Sequence, residues 1–541
     1  LYIYIFIYLY INMYFNCGYT NKFSYTNEEN IILYLNGCNK YNNINLYIKD
    51  LNGKILKVIN VPELNNQVSF INKYIPVYKN KIVSSPWRDF ELNPSFTFKM
   101  DNFDSGIYVI DDSNKNGEIV NENKVAFIIK EDQHTFNRAY ITYIMPTNTD
   151  IMYEYYGGKS GYYDWVTKND MNPCGPAKIL GVKRPTNILR TYHLSLLIWL
   201  YNESYKINYI CDSDSEDLGN LYWTNSENYS TKLIIIGGHS EYWSEKSRIN
   251  IDYILSKGIN LLCLSGNTMW TRISYTDNYD KLICIRHDQE LEYLPKVYHN
   301  EISIRTKDFY YSSSPLEYPS ISSSKMLNKW LTFHTLGVDY LYGGWGQDAI
   351  TVYNNNKIKK KSNIIKYYFV DKNLEFDDIT FFSHTEEYDG IITNFISNYD
   401  IKTNGQFIEL KLNPNDCIIV EGLDDEKIIN FEEYLTKIKL APLYHNYYYK
   451  KIIMMGICIY PNSKPLPRTT GIIKLQKNIN SGKIINCCNM SWGSYFDDNF
   501  VSTINDITDE EEKNIKKTPE KIKKLTKKFI EDLTDNINIY K

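Results

Sequence analysis

Short apolar runs alternate with amphipathic stretches through the middle of this chain, most clearly at 232–270, KLIIIGGHSEYWSEKSRINIDYILSKGINLLCLSGNTMW. Residues 232–236 are, after Lys232, apolar and largely β-branched and stop at Gly237-Gly238, the pattern of a strand buried on both faces of a parallel sheet. Ser244 and Glu245 open a stretch with apolar Ile249, Ile251, Ile254 and Leu255, which predicts a helix ending at Gly258. A second apolar run, 259–264, breaks at Ser265-Gly266-Asn267. Together these predict a β-α-β unit. His239, Glu241 and Asn267 fall on the turns leaving the strand ends, where open α/β sheets place their sites.

The same pattern extends on both sides. Residues 139–145 predict a first parallel strand, followed by a loop at 146–165 that carries Tyr153, Tyr155, Tyr156, Gly157-Gly158, Tyr162 and Tyr163. A helix is expected over 188–201, then a strand at 206–211 ending in the acidic turn Asp212-Ser213-Asp214. Upstream, 18–130 holds short, partly alternating segments separated by Asn, Gly and Asp turns, the signature of an antiparallel β-sandwich. Downstream, 307–325 reads as an inserted loop and 341–347 as a Gly-rich turn. Residues 379–390 read as a strand followed by Glu386, Glu387 and Asp389. Buried-type strands are expected at 417–420, 451–458, 471–475 and 483–488. In the charged tail, Ile515, Ile522, Leu525, Phe529, Ile530 and Leu533 form a helical stripe opposite a solvated, Lys-rich face. The expected division is an N-terminal segment at 1–17, a sandwich at 18–132, an α/β domain with a mainly parallel sheet at 133–510, and a C-terminal helix at 511–541.

Composition narrows the function. A chain of 541 residues is too long for one core, and its net charge of −4 argues against a nucleic-acid binder, which needs a basic face. The ten cysteines show no CxxC pair and no zinc spacing, and Cys263 lies in a buried-type strand. That usage fits reduced core thiols of a cytoplasmic protein. Residues 1–11 are almost all Ile, Leu, Tyr and Phe, without an initiator Met or a basic flank, and are too short to span a membrane. Two readings stand for them: translation begins at Met13, or the run is a truncated signal or anchor. No other stretch reads as a membrane span.

His239-x-Glu241 is the sharpest chemical signal, since a His and a carboxylate on one strand-end turn can divide acid/base work and metal ligation. Equally, Glu241 can simply favour the positive start of the next helix, with His239 in a structural hydrogen bond. Tyr153 and Tyr162 flank a Gly-Gly in the same expected crevice; either can be core, or a phenolate ligand to a hard cation. Asn267 can donate to an oxyanion or merely tolerate a left-handed turn. Glu387 is a second proton-transfer carboxylate or a solvated charge. There is no GxSxG elbow, P-loop, HExxH or GxGxxG fingerprint. The elbow position reads Gly-Gly-His-Ser-Glu, which excludes a cysteine nucleophile there.

Taken in order, GYTNKFSY (18–25), MYEYYGGKSGYYDW (152–165), GGHSEYWS (237–244), LSGNTMW (264–270), EEYDG (386–390) and NMSWG (489–493) resemble the large (β) subunit of N,N-dimethylformamidase and its wider family. The resemblance implies a β-sandwich followed by a glutamine-amidotransferase-like α/β domain. It also implies a mononuclear iron, Fe(III), held by two tyrosines and a glutamate, that hydrolyses a small amide. Glu241 matches the metal carboxylate and Tyr153 one tyrosine. The second tyrosine is placed at Tyr162, with Tyr192 in RTYHLSLL as its rival. His239, Asn267 and Glu387 fall at positions resembling the family's polar catalytic partners. Glu154 departs from the pattern, standing where a neutral residue is expected. The small partner subunit of the bacterial enzyme is no part of this chain, and a homo-oligomer is left open. The competing reading is a non-catalytic protein that holds a ligand such as a glycan against Trp165, Trp243, Trp270, Trp345 and Trp492.

Overall fold

Apolar alternation builds the N-terminal part. The computed structural model describes residues 14–67, 92–117, 124–132, 139–154, 179–218, 231–276, 278–284, 332–345, 364–369, 379–382, 387–390, 408–410, 417–420, 427–430, 451–460, 468–476, 479–497, 513 and 516–535. Strands β1 (Phe15–Thr20), β3 (Ile31–Gly37) and β6 (Phe96–Phe98) form one antiparallel sheet. A second sheet runs β2-β8-β7-β4-β5, from β2 (Ser24–Tyr25), β4 (Tyr41–Lys49), β5 (Ile55–Leu64), β7 (Gly106–Asp111) and β8 (Val125–Ile129). The two share a core that includes Phe15, Leu33, Leu46, Ile110 and Phe127. The other face of β7 and β8 (Ile107, Val109, Ala126, Ile128) joins the core of the next part. Burial on both faces explains why β8 reads VAFII without alternation. β1 begins at Phe15, ahead of the boundary expected at 18.

The central ten-stranded sheet has the order β11-β9-β12-β14-β26-β25-β24-β18-β19. These are β9 (Ile141–Met145), β11 (Ile207–Cys211), β12 (Leu233–Gly238), β14 (Asn260–Ser265), β18 (Ile364–Phe369), β19 (Ile379–Phe382), β24 (Lys451–Tyr460), β25 (Arg468–Gln476) and β26 (Lys483–Asn486), with β21 (Ile408–Leu410) also paired to β24. Pairings from β11 to β26 are parallel, and those beyond β26 are antiparallel. The expected mainly parallel sheet therefore holds only for its first half, because β25 and β24 return as a long hairpin rather than through crossover helices. A smaller sheet runs β10 (Ile179–Gly181), β16 (Lys281–Ile283), β15 (Thr271–Tyr275), β13 (Tyr242–Ser244). Two further pairs are β17 (Asp339–Trp345) with β20 (Glu387–Gly390), and β22 (Cys417–Val420) with β23 (Lys427–Asn430). The Gly-rich turn expected at 341–347 is instead largely strand β17, whose backbone finds its partner in β20.

Both faces of the parallel half are covered. Ile235 faces one core with Leu196, Leu197 and Leu200 of α2 (Thr191–Asn202) and Leu525 and Phe529 of α5 (Thr518–Leu533). Ile234 and Ile236 face another with Ile251, Ile254 and Leu255 of α3 (Glu245–Ser256). Each such buried side chain is worth about 1.5–3 kcal/mol. Ser244 caps α3, its hydroxyl accepting from the Ser247 amide at 3.1 Å. Ile249, expected on the apolar face of α3, is 42% exposed. The remaining helices are α1 (Thr147–Tyr153) and the short α4 (Phe333–Leu336). The cysteines Cys17, Cys211, Cys263, Cys284, Cys487 and Cys488 are buried free thiols. Among the described residues no helix is long and apolar enough to cross a membrane. The expectations for 1–13, the tyrosines at 155–163 and the insertion at 307–325 lie outside the described residues.

Candidate functional site

β12 ends in two glycines, and close packing requires both. A Cβ on Gly237 would run into the Tyr143 hydroxyl, and one on Gly238, whose φ is +72°, into the His193 imidazole. The chain can therefore turn sharply above α2 and set His239, Ser240 and Glu241 over the strand ends. Several bonds hold that turn. The Ser240 amide donates to Ser265 Oγ at 3.1 Å, the Glu241 amide to Thr149 Oγ1 at 2.9 Å, and the Met269 amide to the Ser240 carbonyl at 2.9 Å. Trp243 Nε1 donates back to the Ser240 carbonyl at 3.0 Å.

Glu241 is completely buried. Its Oε2 accepts from Tyr153 Oη at 3.1 Å and lies 3.6 Å from His239 Nε2, while Oε1 accepts from Thr271 Oγ1 at 3.1 Å. The Tyr153 and His239 ring centroids are 5.1 Å apart. Tyr192, in the first turn of α2, meets the other side of the group, with its ring edge-on to His239 at 6.1 Å. Tyr153, His239, Glu241 and Tyr192 thus form one contiguous cluster. Two half-buried phenols beside a buried carboxylate and imidazole suit a hard, highly charged cation. Asn267 sits at φ +52° and is buried, on the turn after β14, the immediate parallel neighbour of β12. Tyr162 lies outside the described residues. Glu387 opens β20 opposite Trp345, and its side chain is likewise outside them.

Residues 147–153 of the loop expected at 146–165 instead form helix α1, and this helix organises the cluster. Its first residues, Thr147 to Asp150, are all buried and bond to neighbouring elements. The Asn148 amide donates to Asp212 Oδ2 at 2.8 Å and its side chain to the Tyr242 carbonyl at 3.0 Å. Asp150 Oδ1 accepts from Arg190 Nε at 2.8 Å and from Tyr192 Oη at 3.4 Å. Burial pushes the Asp150 carboxyl up to about 7, against the opposing pull of Arg190 and His239. Burial likewise lowers His193 to about 4, so it is neutral at pH 7 and holds the Ile188 carbonyl at 2.7 Å. Sequence reasoning missed Asp150, Arg190 and Thr149. The available signal was the polar run TNTD wedged between an apolar strand and Ile151-Met152.

The NMSWG segment seats α2. Residues Met490–Phe496 form a 3-10 turn capped by Asn489, whose Oδ1 accepts from the Ser491 amide at 2.8 Å. Gly493 packs so tightly on the Tyr192 carbonyl that a Cβ there would overlap it. Trp243, Trp270 and Trp492 are each buried to within 1%, so none of the three offers the open ring face that stacking on a glycan needs. Trp345 and Trp165 give no described side chain.

These observations define an α/β protein in which a buried carboxylate and imidazole meet two half-buried phenols at the ends of its parallel strands. Residues 73–309 match the family described as N,N-dimethylformamidase beta subunit-like, C-terminal. The match covers Tyr153, Tyr192, His239, Glu241 and Asn267, and stops short of Glu387 and NMSWG. No curated protein matches the chain.

Proposed function

We propose that the chain is an iron-dependent amidohydrolase that cleaves the C–N bond of a small amide to a carboxylic acid and an amine. The observation that carries this reading is the sharing of Glu241 Oε2 between Tyr153 at 3.1 Å and His239 at 3.6 Å, inside the span matched by the family. Tyr153, Glu241 and Tyr192 would hold the ion. Tyr192 is preferred to Tyr162 because its ring packs against His239. A ferric ion held there would supply Lewis acidity at the amide carbonyl. His239 takes the proton from water as it adds to the carbonyl carbon and returns it to nitrogen as the C–N bond breaks. Asn267 donates to the developing oxyanion, and Glu387 serves as a second carboxylate for proton transfer.

The architecture proposed with this chemistry is a sandwich at 18–132, a glutamine-amidotransferase-like domain at 133–510 and a C-terminal helix at 511–541, in a cytoplasmic protein. The test is to purify the chain, measure iron by plasma emission, and follow amine release from N,N-dimethylformamide and simple acetamides. About one iron per chain together with amine release supports the reading. Loss of one oxyanion donor typically costs about 10²–10³ in rate, so Asn267→Ala should slow turnover on that scale while retaining iron. A protein that neither retains iron nor releases amine after loading with ferric ion refutes it.

A further inference from the structure

The cluster is held from behind by a pair that no ligand role requires. Asp150 is fully buried in α1, and Arg190 stands at the N-cap of α2. Arg190 Nε grips Asp150 Oδ1 at 2.8 Å, its NH2 group reaches the Asp150 carbonyl at 3.4 Å, and the guanidinium also lies 3.8 Å from Glu154. The same Oδ1 accepts from Tyr192 Oη at 3.4 Å. One carboxylate oxygen therefore ties the helix bearing Tyr153 to the helix bearing Tyr192, across 42 residues of chain.

We infer that Asp150, clamped by Arg190, is a positioning residue that holds the Tyr192 phenol beside His239 in the metal-free protein. This rests on the proposed role of Tyr192 as a ligand. A phenol at the start of a helix can swing about χ1 and χ2. The Arg190 contact removes that freedom at the acceptor, because a guanidinium holding both the side chain and the backbone carbonyl of one residue leaves its carboxylate a single orientation. Groups that orient metal ligands from outside the coordination sphere typically matter by about 10–100-fold in affinity. Glu154, the departure from the family pattern next to Tyr153, belongs to the same arrangement as a weaker second anchor for Arg190.

The test compares wild type with Asp150→Asn, which keeps the shape but loses the ionic grip, and Asp150→Leu, which loses both. Metal-free protein is titrated with ferric ion against a competing chelator while the visible phenolate band is followed. We expect the Asn variant to bind ferric ion about 10–100-fold more weakly, with a shifted band, and the Leu variant to bind still more weakly. Hydrogen exchange over the first turn of α2 in the metal-free proteins reads the tether without iron, and should quicken in both variants. Wild-type uptake with unchanged affinity and band in a folded Asn variant overturns the positioning role, as does unchanged exchange. Failure of wild type itself to bind ferric ion overturns the ligand reading instead, and exchange then decides the tether alone.

Discussion

Tyr153 Oη donates a hydrogen bond to Glu241 Oε2 at 3.1 Å, joining residues 88 positions apart on two different strand-end segments. The contact depends on Thr149, one turn earlier in α1, whose hydroxyl accepts the Glu241 amide at 2.9 Å. Backbone and side chain of Glu241 are thus fixed by the same short helix.

If Glu241 is the anionic ligand, Glu241→Gln should keep the fold and lose the metal. The change is nearly isosteric, so packing persists while the charge goes. Iron content and far-UV circular dichroism should be read on one sample, with iron falling at least tenfold and the spectrum unchanged. A folded variant with full iron would remove Glu241 from the ligand set.

The two candidate second tyrosines separate by colour. Ferric phenolate absorbs in the visible, so Tyr192→Phe should bleach or shift the band while Tyr162→Phe leaves it intact. The opposite result would restore the placement at Tyr162 and leave Tyr192 as packing against His239.

Gly493→Ala should disturb the site more than the fold. An added methyl presses on the Tyr192 carbonyl, so either the 3-10 turn or the start of α2 must move. Overpacking of this kind typically costs about 1–3 kcal/mol. A urea midpoint gives that cost, and a weaker visible band in the folded variant reports the displaced phenol. An unaltered band would show that the strain is absorbed by the 3-10 turn.

Legibility in the sequence followed how local each feature is. The turn at Gly237-Gly238-His239 could be read because an apolar strand and a capped helix bracket it within a few residues. Helix α1 could not, since TNTDIMY has little helical preference and is held by bonds to Asp212, Tyr242, Glu241 and Arg190, all distant in sequence. The same holds for β17, where glycines suggest a turn and only pairing with β20 makes a strand. Tyr192 was visible as an alternative to Tyr162, but no spacing rule distinguishes two tyrosines on separate elements. The packing of Tyr192 against His239 becomes visible only in the fold.

Acid should weaken the N-terminal sheets through Asp111. Burial opposes its ionisation, but hydrogen bonds from Lys124 and Lys49 prevail and bring it from 3.8 to about 2. Since the folded value lies below the unfolded one, the contribution is complete above pH ~4 and is lost as pH falls towards ~2. That loss amounts to about 2 kcal/mol. Urea midpoints for wild type and Asp111→Asn should therefore converge as pH drops from ~5 to ~2. Parallel curves would mean that another group controls the acid limb.

The place of β26 in the sheet also sets a timetable for synthesis. It pairs in parallel with β14, and the Lys483 amide donates to Asn260 Oδ1 at 2.7 Å across 223 residues. At about 5–20 residues per second, the ribosome needs roughly 10–45 s to make that interval. Until then β14, which carries the turn with Asn267, is the open edge of a growing parallel sheet, with its apolar face and backbone groups uncovered. The cluster of His239, Glu241 and Tyr153 can assemble before that time, but α2 lacks the 490–496 segment that presses on Tyr192. A nascent chain stalled between the two strands therefore exposes an unpaired edge that invites aggregation, with the 490–496 segment still missing from α2.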